Sequence, residues 1–487
     1  MAASSCTLLF ACLAALHTTH PGVPFVSALD LDAQRNILQE ELRLPAPETQ
    51  EGLPVTTSVP SSLSPGDEIS ARVLGENSSE AAEDDPQRGC GKDIPPEKMH
   101  KIAEAVMKLG ADLLREVELE DSRSNLFFSP YSVSLALAHL ALGAANQTEK
   151  QLLEALHMES VPCLHQALHG LSQHLGKAVL SIAAQLYLQK GFPFKEKFLE
   201  DSEKFYGAKP ATLTGNSETD LATINNWVKE ATDGQISTML TELPASVVMV
   251  LLNAVHFQGF WKNKFDPLLT KPSVFHLDDE HTVSVEMMRA RDYPLSWFTL
   301  ESLDVKVARF PFKGNTSFVV VLPNHPERNF SRLLSDLSHR NLHGTFPKER
   351  PTIVKMPKLH LQYHLDLKQA LSRLGLEELF STPNFHPIAE GPLFVSSVHH
   401  RAALELAEAG VEASAVTSVM MSRSFSAFQI NHPFFFIISE DITGIPLFLG
   451  TIRNPNPSAA PERKTKDCIQ INGKESLLAC TVNLEKP

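Results

Sequence analysis

The stretch ELAEAGVEASAVTSVMMSRSFSAFQINHP, residues 405–433, decides how the rest of the chain is read. It opens on acidic residues and Gly410, then runs through Val411, Ala413, Ser414, Ala415, Val416, Thr417 and Ser418. It reaches Arg423-Ser424 and then turns apolar. Small and β-branched residues without proline describe a strand suited to the middle of a sheet. A lone arginine near the far end is a poor group to bury, because an unpaired buried charge is costly. The stretch therefore reads either as a surface hairpin carrying an ordinary arginine or as an exposed loop able to become a strand.

Downstream, residues 428–455 describe a hairpin of two buried strands. Residues 434–438 and 447–452 are the apolar runs, with Asp441, Thr443 and Gly444 as the turn. The run Asn431-His432-Pro433-Phe434, followed by apolar residues, resembles the C-terminal signature of the serpins, and Glu408-Ala409-Gly410-Val411-Glu412-Ala413 resembles their loop hinge. Hinge, bait arginine and signature stand in the family's order. The resemblance covers roughly residues 98–458. It implies an α+β serpin fold: a large, mostly antiparallel sheet with helices and an exposed reactive-centre loop at about 408–428.

The upstream sequence suits that reading. Ile102, Ala105, Val106, Leu109 and Leu113 share one helical face, with Lys101, Glu104 and Lys108 on the other. Residues 125–144 predict a short buried strand, a Ser-Pro helix start and an apolar helix stopping near Gly143. Residues 181–189 read as a strand and 193–207 as an amphipathic helix. A further helix is expected to end at Gly234, where a left-handed cap is easy. The near-continuous apolar run at 247–267 marks a strand covered on both faces. Within it Asn253, Phe257, Gly259, Trp261 and Phe265 resemble the serpin pattern. The family resemblance assigns Ser129, Ser132, Asn253, Trp261 and His400 to a region that controls sheet opening. Read without it, the serines are helix caps and His400 a core histidine.

The ends indicate the compartment. Residues 1–28 read as a secretion signal, an apolar core followed by Val26-Ser27-Ala28. Residues 29–97 are rich in Pro, Ser and acids, a composition of disorder, apart from a short helix expected at 31–42. Residues 459–487 form a C-terminal tail. Of six cysteines, signal removal leaves Cys90, Cys163, Cys468 and Cys480. These suggest two disulfides, though four cysteines allow three pairings. In the tail, Asn472-Gly473 lies between apolar stretches, predicting a small hairpin closed by Cys468 and Cys480. Sequons at Asn77, Asn146, Asn315 and Asn329 point to a secreted glycoprotein. A formal charge of -14 argues against nucleic acid as a partner, and no apolar run is long enough to span a bilayer. A monomer is expected.

No nucleophile elbow, zinc-binding HExxH, phosphate loop or dinucleotide fingerprint occurs, and the histidines show no metal spacing, so no metal, cofactor or catalytic residue is expected. The resemblance instead implies a suicide substrate. Arg423 baits a trypsin-like protease, whose pocket aspartate suits a guanidinium, and the bond to Ser424 is attacked. The cut loop then enters the main sheet through a hinge that runs on to Ser414 and Ala415, so Glu412 must point to solvent while Val411 and Ala413 point inward. Gly410 to Arg423 is fourteen residues, a short loop for the family. The extension, Cys90 with Cys163, and a tail carrying Lys464, Lys466, Lys474 and Lys486 resemble the plasmin-directed members. There such lysines engage plasmin or plasminogen kringles, and a transglutaminase cross-links a glutamine to fibrin. Gln34, Gln39 and Gln50 are candidates. Arg-Ser also resembles the bait of inhibitors of clotting proteases such as thrombin, and a non-inhibitory carrier or precursor is the third alternative.

Overall fold

The computed structural model describes residues 94–120, 124–175, 181–244, 246–325, 330, 333, 346–410, 426–464, 467–468 and 480–481. The expected helix at 31–42, Asn77, Cys90, Asn329, hinge residues Val411 to Ala415, the Arg423-Ser424 bond, Lys466, Lys474 and Lys486 lie outside them.

In chain order the helices are α1 (Pro96–Glu118), α2 (Pro130–Leu142), α3 (Asn146–Ala155), α4 (Leu164–Leu175), α5 (Glu196–Tyr206), α6 (Ser217–Ala231) and α7 (Lys368–Leu371). The strands are β1 (Leu126–Phe128), β2 (Ser181–Leu188), β3 (Ala211–Thr212), β4 (Met249–Trp261), β5 (Lys271–His276), β6 (His281–Leu300), β7 (Val305–Pro311), β8 (Thr316–Pro323) and β9 (Arg350–Pro357). They continue with β10 (Leu359–Asp366), β11 (Val395–Gly410), β12 (Ser426–Gln429), β13 (Phe434–Glu440), β14 (Pro446–Ile452), β15 (Glu462–Arg463), β16 (Asp467–Cys468) and β17 (Cys480–Thr481).

Local chemistry explains the boundaries. The apolar face of α1 is buried and Lys101, Glu104 and Lys108 are exposed, as a 3.6-residue period requires. Ser129 caps α2 by accepting from the Ser132 backbone N–H, Pro130 opens the first turn, and Gly143 follows the last. Helix α5 ends on Gly207 at φ 61°, the left-handed cap. Helix α6 ends at Ala231 and its last turn is closed by Gly234, which takes φ 78° and donates its N–H to the Lys229 carbonyl at 2.7 Å.

A ten-stranded sheet runs β1-β14-β13-β8-β7-β6-β9-β12, with β5 and β15 paired to β6 off this path. Its β13–β14 hairpin is antiparallel, and every residue of both strands is buried. The hairpin turn hangs on a residue that its own composition did not single out. Buried Glu440 accepts from the backbone N–H and hydroxyl of Thr443, each at 2.6 Å, while Gly444 takes φ 76°. The second sheet runs β10-β11-β4-β2-β3. Strand β4 is buried without interruption over its first seven residues, as its apolar run predicts. Helix α2 packs against this sheet on one face. On the other, Ile224 and Val228 of α6 and Ile236 and Met239 beyond it join a separate apolar cluster with Leu252, Ala254 and Ala403.

Gly450 shows how tightly the hairpin meets β1. It pairs with Phe127, and a Cβ there would lie 2.3 Å from the Leu126 carbonyl oxygen. Gly450→Ala is expected to destabilise the protein by about 1–3 kcal/mol, the usual cost of overpacking, seen as a lowered thermal midpoint. An unchanged midpoint would show that β1 yields freely.

Candidate functional site

Strands β11 and β4 run parallel at the centre of the second sheet, with β10 and β2 lying antiparallel outside them. The parallel ladder extends from Val395/Met249 to Leu406/Gly259, is interrupted, and closes with Gly410 opposite Trp261. Parallel pairing is slightly weaker per residue than antiparallel. The expected loop departs immediately after Gly410, the last residue of β11. A weak seam and a long connection thus meet at one point.

Below that point, Ser129, Ser132, Asn253 and His400 converge across α2, β4 and β11, all of them buried. The Ser132 hydroxyl donates to Asn253 Oδ1 at 2.5 Å, and the Asn253 amide returns a bond to the Ser132 carbonyl at 3.3 Å. His400 Nε2 lies 3.2 Å from the Ser129 backbone nitrogen, which only donates, so Nε2 accepts. The ring proton therefore sits on Nδ1 and is donated to Asn253 Oδ1 at 2.6 Å. Burial drives the His400 pKa down to about 3. One asparagine and one neutral histidine thus pin α2 to both strands of the seam.

Trp261 is not part of this group. It lies eight residues further along β4, roughly 26 Å at strand rise, and forms a second cluster at the loop's base. Its indole Nε1–H donates to the Ala407 carbonyl at 2.6 Å, and its ring stacks on Phe312 at 4.6 Å. Beside it Glu408 accepts from the Thr270 hydroxyl at 2.7 Å and pairs with Lys358 at 3.1 Å. Burial would raise the Glu408 pKa, but the Thr270 hydroxyl and the Lys358 ammonium hold it below the usual carboxylate range. Gly410 is a glycine for lack of room, since a Cβ would lie 2.4 Å from the Trp261 carbonyl oxygen. Thr270 and Lys358 were not predicted; they meet Glu408 only through the tertiary fold, and nothing in their spacing signals it.

The remaining predicted residues are scattered. Asn146 and Asn315 are exposed. Cys163 is disulfide-bonded. The backbone register of β16 and β17 sets Cys468 opposite Cys480, in keeping with the expected tail hairpin. Lys464 donates to the Asp278 carbonyl at 2.8 Å rather than projecting into solvent. Among the described residues no group of three or more His, Cys, Asp or Glu is arranged to hold a metal.

The folded pKa of His400 lies below its ordinary 6.5, so its contribution to stability is complete above about pH 6.5 and is lost as pH falls toward about 3. His400→Gln is expected to lower the thermal midpoint most at neutral pH. The gap from the unsubstituted protein should narrow at about pH 4.5. A gap independent of pH would overturn the neutral assignment.

The family described as "Serpin (serine protease inhibitor)" matches residues 104–455. Alpha-2-antiplasmin of Bos taurus is 53% identical over 388 residues, covering 80% of this chain and 79% of its own. Alpha-2-antiplasmin of Mus musculus is 54% identical over 376 residues, 77% of each chain. Pigment epithelium-derived factor of Homo sapiens is 32% identical over 368 residues, 73% of this chain and 87% of its own. Among solved structures, mouse protein-Z dependent protease inhibitor superposes with TM-score 0.69 at 24% identity, covering 74% of this chain and 100% of its own, a likeness of fold alone. Human thyroxine-binding globulin gives TM-score 0.67 at 27% identity, covering 74% of this chain and 99% of its own. Sequence, topology and the seam agree, and the chain belongs to the serpin family.

Proposed function

We propose that this protein is a secreted plasma inhibitor that traps plasmin, once per molecule, by acylation at Arg423 and insertion of its loop between β4 and β11. The observation that carries this reading is the parallel seam with its connection leaving at Gly410. A segment continuing from Gly410 can turn back only antiparallel to β11, and hence antiparallel to β4 as well. Insertion then replaces one parallel ladder by two antiparallel ones.

The chemistry is an ordinary acyl transfer halted midway. The protease serine bonds to the Arg423 carbonyl carbon, the peptide bond to Ser424 breaks, and the Ser424 amine leaves with a proton. Insertion carries the esterified protease away before water can attack. It demands a hinge that enters a sheet without burying charge, which Val411, Ala413 and Ala415 meet if Glu412 faces solvent. Thyroxine-binding globulin, a carrier by name, has the same fold, so the hinge and not the fold favours inhibition. The likeness to alpha-2-antiplasmin favours plasmin as the target. Exposed Asn146 and Asn315 are proposed glycan sites. We take Cys90 and Cys163 as one disulfide and Cys468 and Cys480 as the other. Of the tail lysines, Lys466, Lys474 and Lys486 remain for a kringle. Cross-linking of the extension to fibrin belongs to the same reading.

Mixing the protein with plasmin and with thrombin should give an SDS-resistant complex with plasmin first. Faster trapping of thrombin would transfer the assignment to a clotting protease, and no complex with either would favour a carrier. Arg423→Ala should abolish the complex. Ala413→Arg should leave a protein that is cleaved but releases its protease; continued trapping would refute the hinge.

A further inference from the structure

On the face of the second sheet opposite α2, residues 232–240 cross the seam as a strap. Asn225 of α6 holds its far end, its Oδ1 accepting from the Met239 and Leu240 backbone N–H at 2.6 and 3.1 Å. The strap is fastened to β10, where the Gln362 amide donates to the Gln235 carbonyl at 3.3 Å. It is also fastened to β11, where Arg401 donates to the Thr238 carbonyl. Its chain then continues into β4. The strap therefore ties together the strands that an incoming segment must part.

His256 projects from β4 toward this face. In register it lies between Ala403 of β11 and Ser181 of β2. Its Nε2 is buried and has no hydrogen-bond partner. The charged and titratable groups facing the ring are Glu405 on β11, Asp233 on the strap and His360 on β10. Arg401, two residues from Ala403 on β11, is engaged with Thr238. Glu405 and Asp233 favour a proton on the ring and His360 opposes it, but burial outweighs both acids and holds the imidazole below its ordinary pKa.

We propose that His256 is a proton-sensitive catch on the seam: neutral, it lets the strap lie across β4 and β11; protonated, it favours lifting the strap and parting the strands. Protonation places a charged N–H on a buried nitrogen without an acceptor, and opening hydrates it. Opening thus takes up a proton. Its rate is lowest above the ordinary histidine pKa near 6.5 and rises as pH falls below it. His400, with its pKa near 3, stays neutral through that window. His256 is a positioning residue, and what its release achieves rests on the insertion reading above.

The test uses the full chain and a synthetic peptide with the sequence of residues 411–424, whose incorporation is followed on native gels. The unsubstituted protein should take up peptide at least about threefold faster at about pH 5.5 than at about pH 7.5. His256→Gln should bring that ratio near one. Asp233→Asn, at an exposed strap position, should leave the onset unmoved and make the acceleration at about pH 5.5 at least as large, because a carboxylate favouring the protonated ring in the closed state is gone. A ratio in His256→Gln equal to that of the unsubstituted protein, or no acceleration in the latter, would overturn the catch. SDS-resistant complexes with trypsin at neutral pH test the inhibitor reading separately, since their absence would sink that reading while the peptide ratios still decide this one.

Discussion

The constraint on which the structure depends is the parallel pairing of β11 with β4. Each strand is well satisfied on its outer side by an antiparallel neighbour and less well on its inner side. The molecule holds that inner contact closed by means other than the ladder. Asn253 and His400 tie it to α2 from behind, the strap covers it in front, and Trp261 with Glu408 fastens its end. Each fastening includes local polar bonds. A few hydrogen bonds, each worth about 1 kcal/mol net, can be broken in turn, whereas the apolar packing of β13 and β14 cannot.

This division explains where apolar and polar residues fall. The ten-stranded sheet carries the uninterrupted core, with both strands of the terminal hairpin wholly buried. The seam instead carries Ser129, Ser132, Asn253 and His400 as a buried polar set. Buried polar groups with all partners present specify one arrangement, and the loss of any one leaves the others unsatisfied. His400 shows this most clearly, because its Nε2 must accept from Ser129 while its Nδ1–H donates to Asn253. A proton on both nitrogens would break the first bond.

The sequence made much of this legible and left out a specific part. Periodicity located α1 and β4, turn chemistry located the β13–β14 hairpin, and the Ser-Pro pair located the start of α2, because these depend on residues adjacent in the chain. The family resemblance named Ser129, Ser132, Asn253, His400 and Trp261 together, and in the structure the first four share one buried hydrogen-bond network while Trp261 stands apart from it at the loop's base. One run of sequence thus serves two places, Asn253 within β4 and Trp261 at its end. Thr270 and Lys358 around Glu408, and Glu440 beneath the hairpin turn, went unread. A carboxylate's partner is fixed by which strands become neighbours, and no local pattern encodes that.

Gly410 joins the proposed hinge to the seam. A side chain there would collide with the Trp261 carbonyl and with Lys264. Only glycine lets β11 close against the end of β4. Two residues earlier, Glu408 is held by Thr270 and Lys358, so the strand is anchored close to its end. An apolar residue at 408 would lose that anchorage, and a bulky one at 410 would wedge the seam open before any protease arrived. Under the proposed insertion, small residues beyond Gly410 and a half-buried polar anchor before it are complementary demands. The first makes entry into the sheet possible, and the second keeps it from happening early.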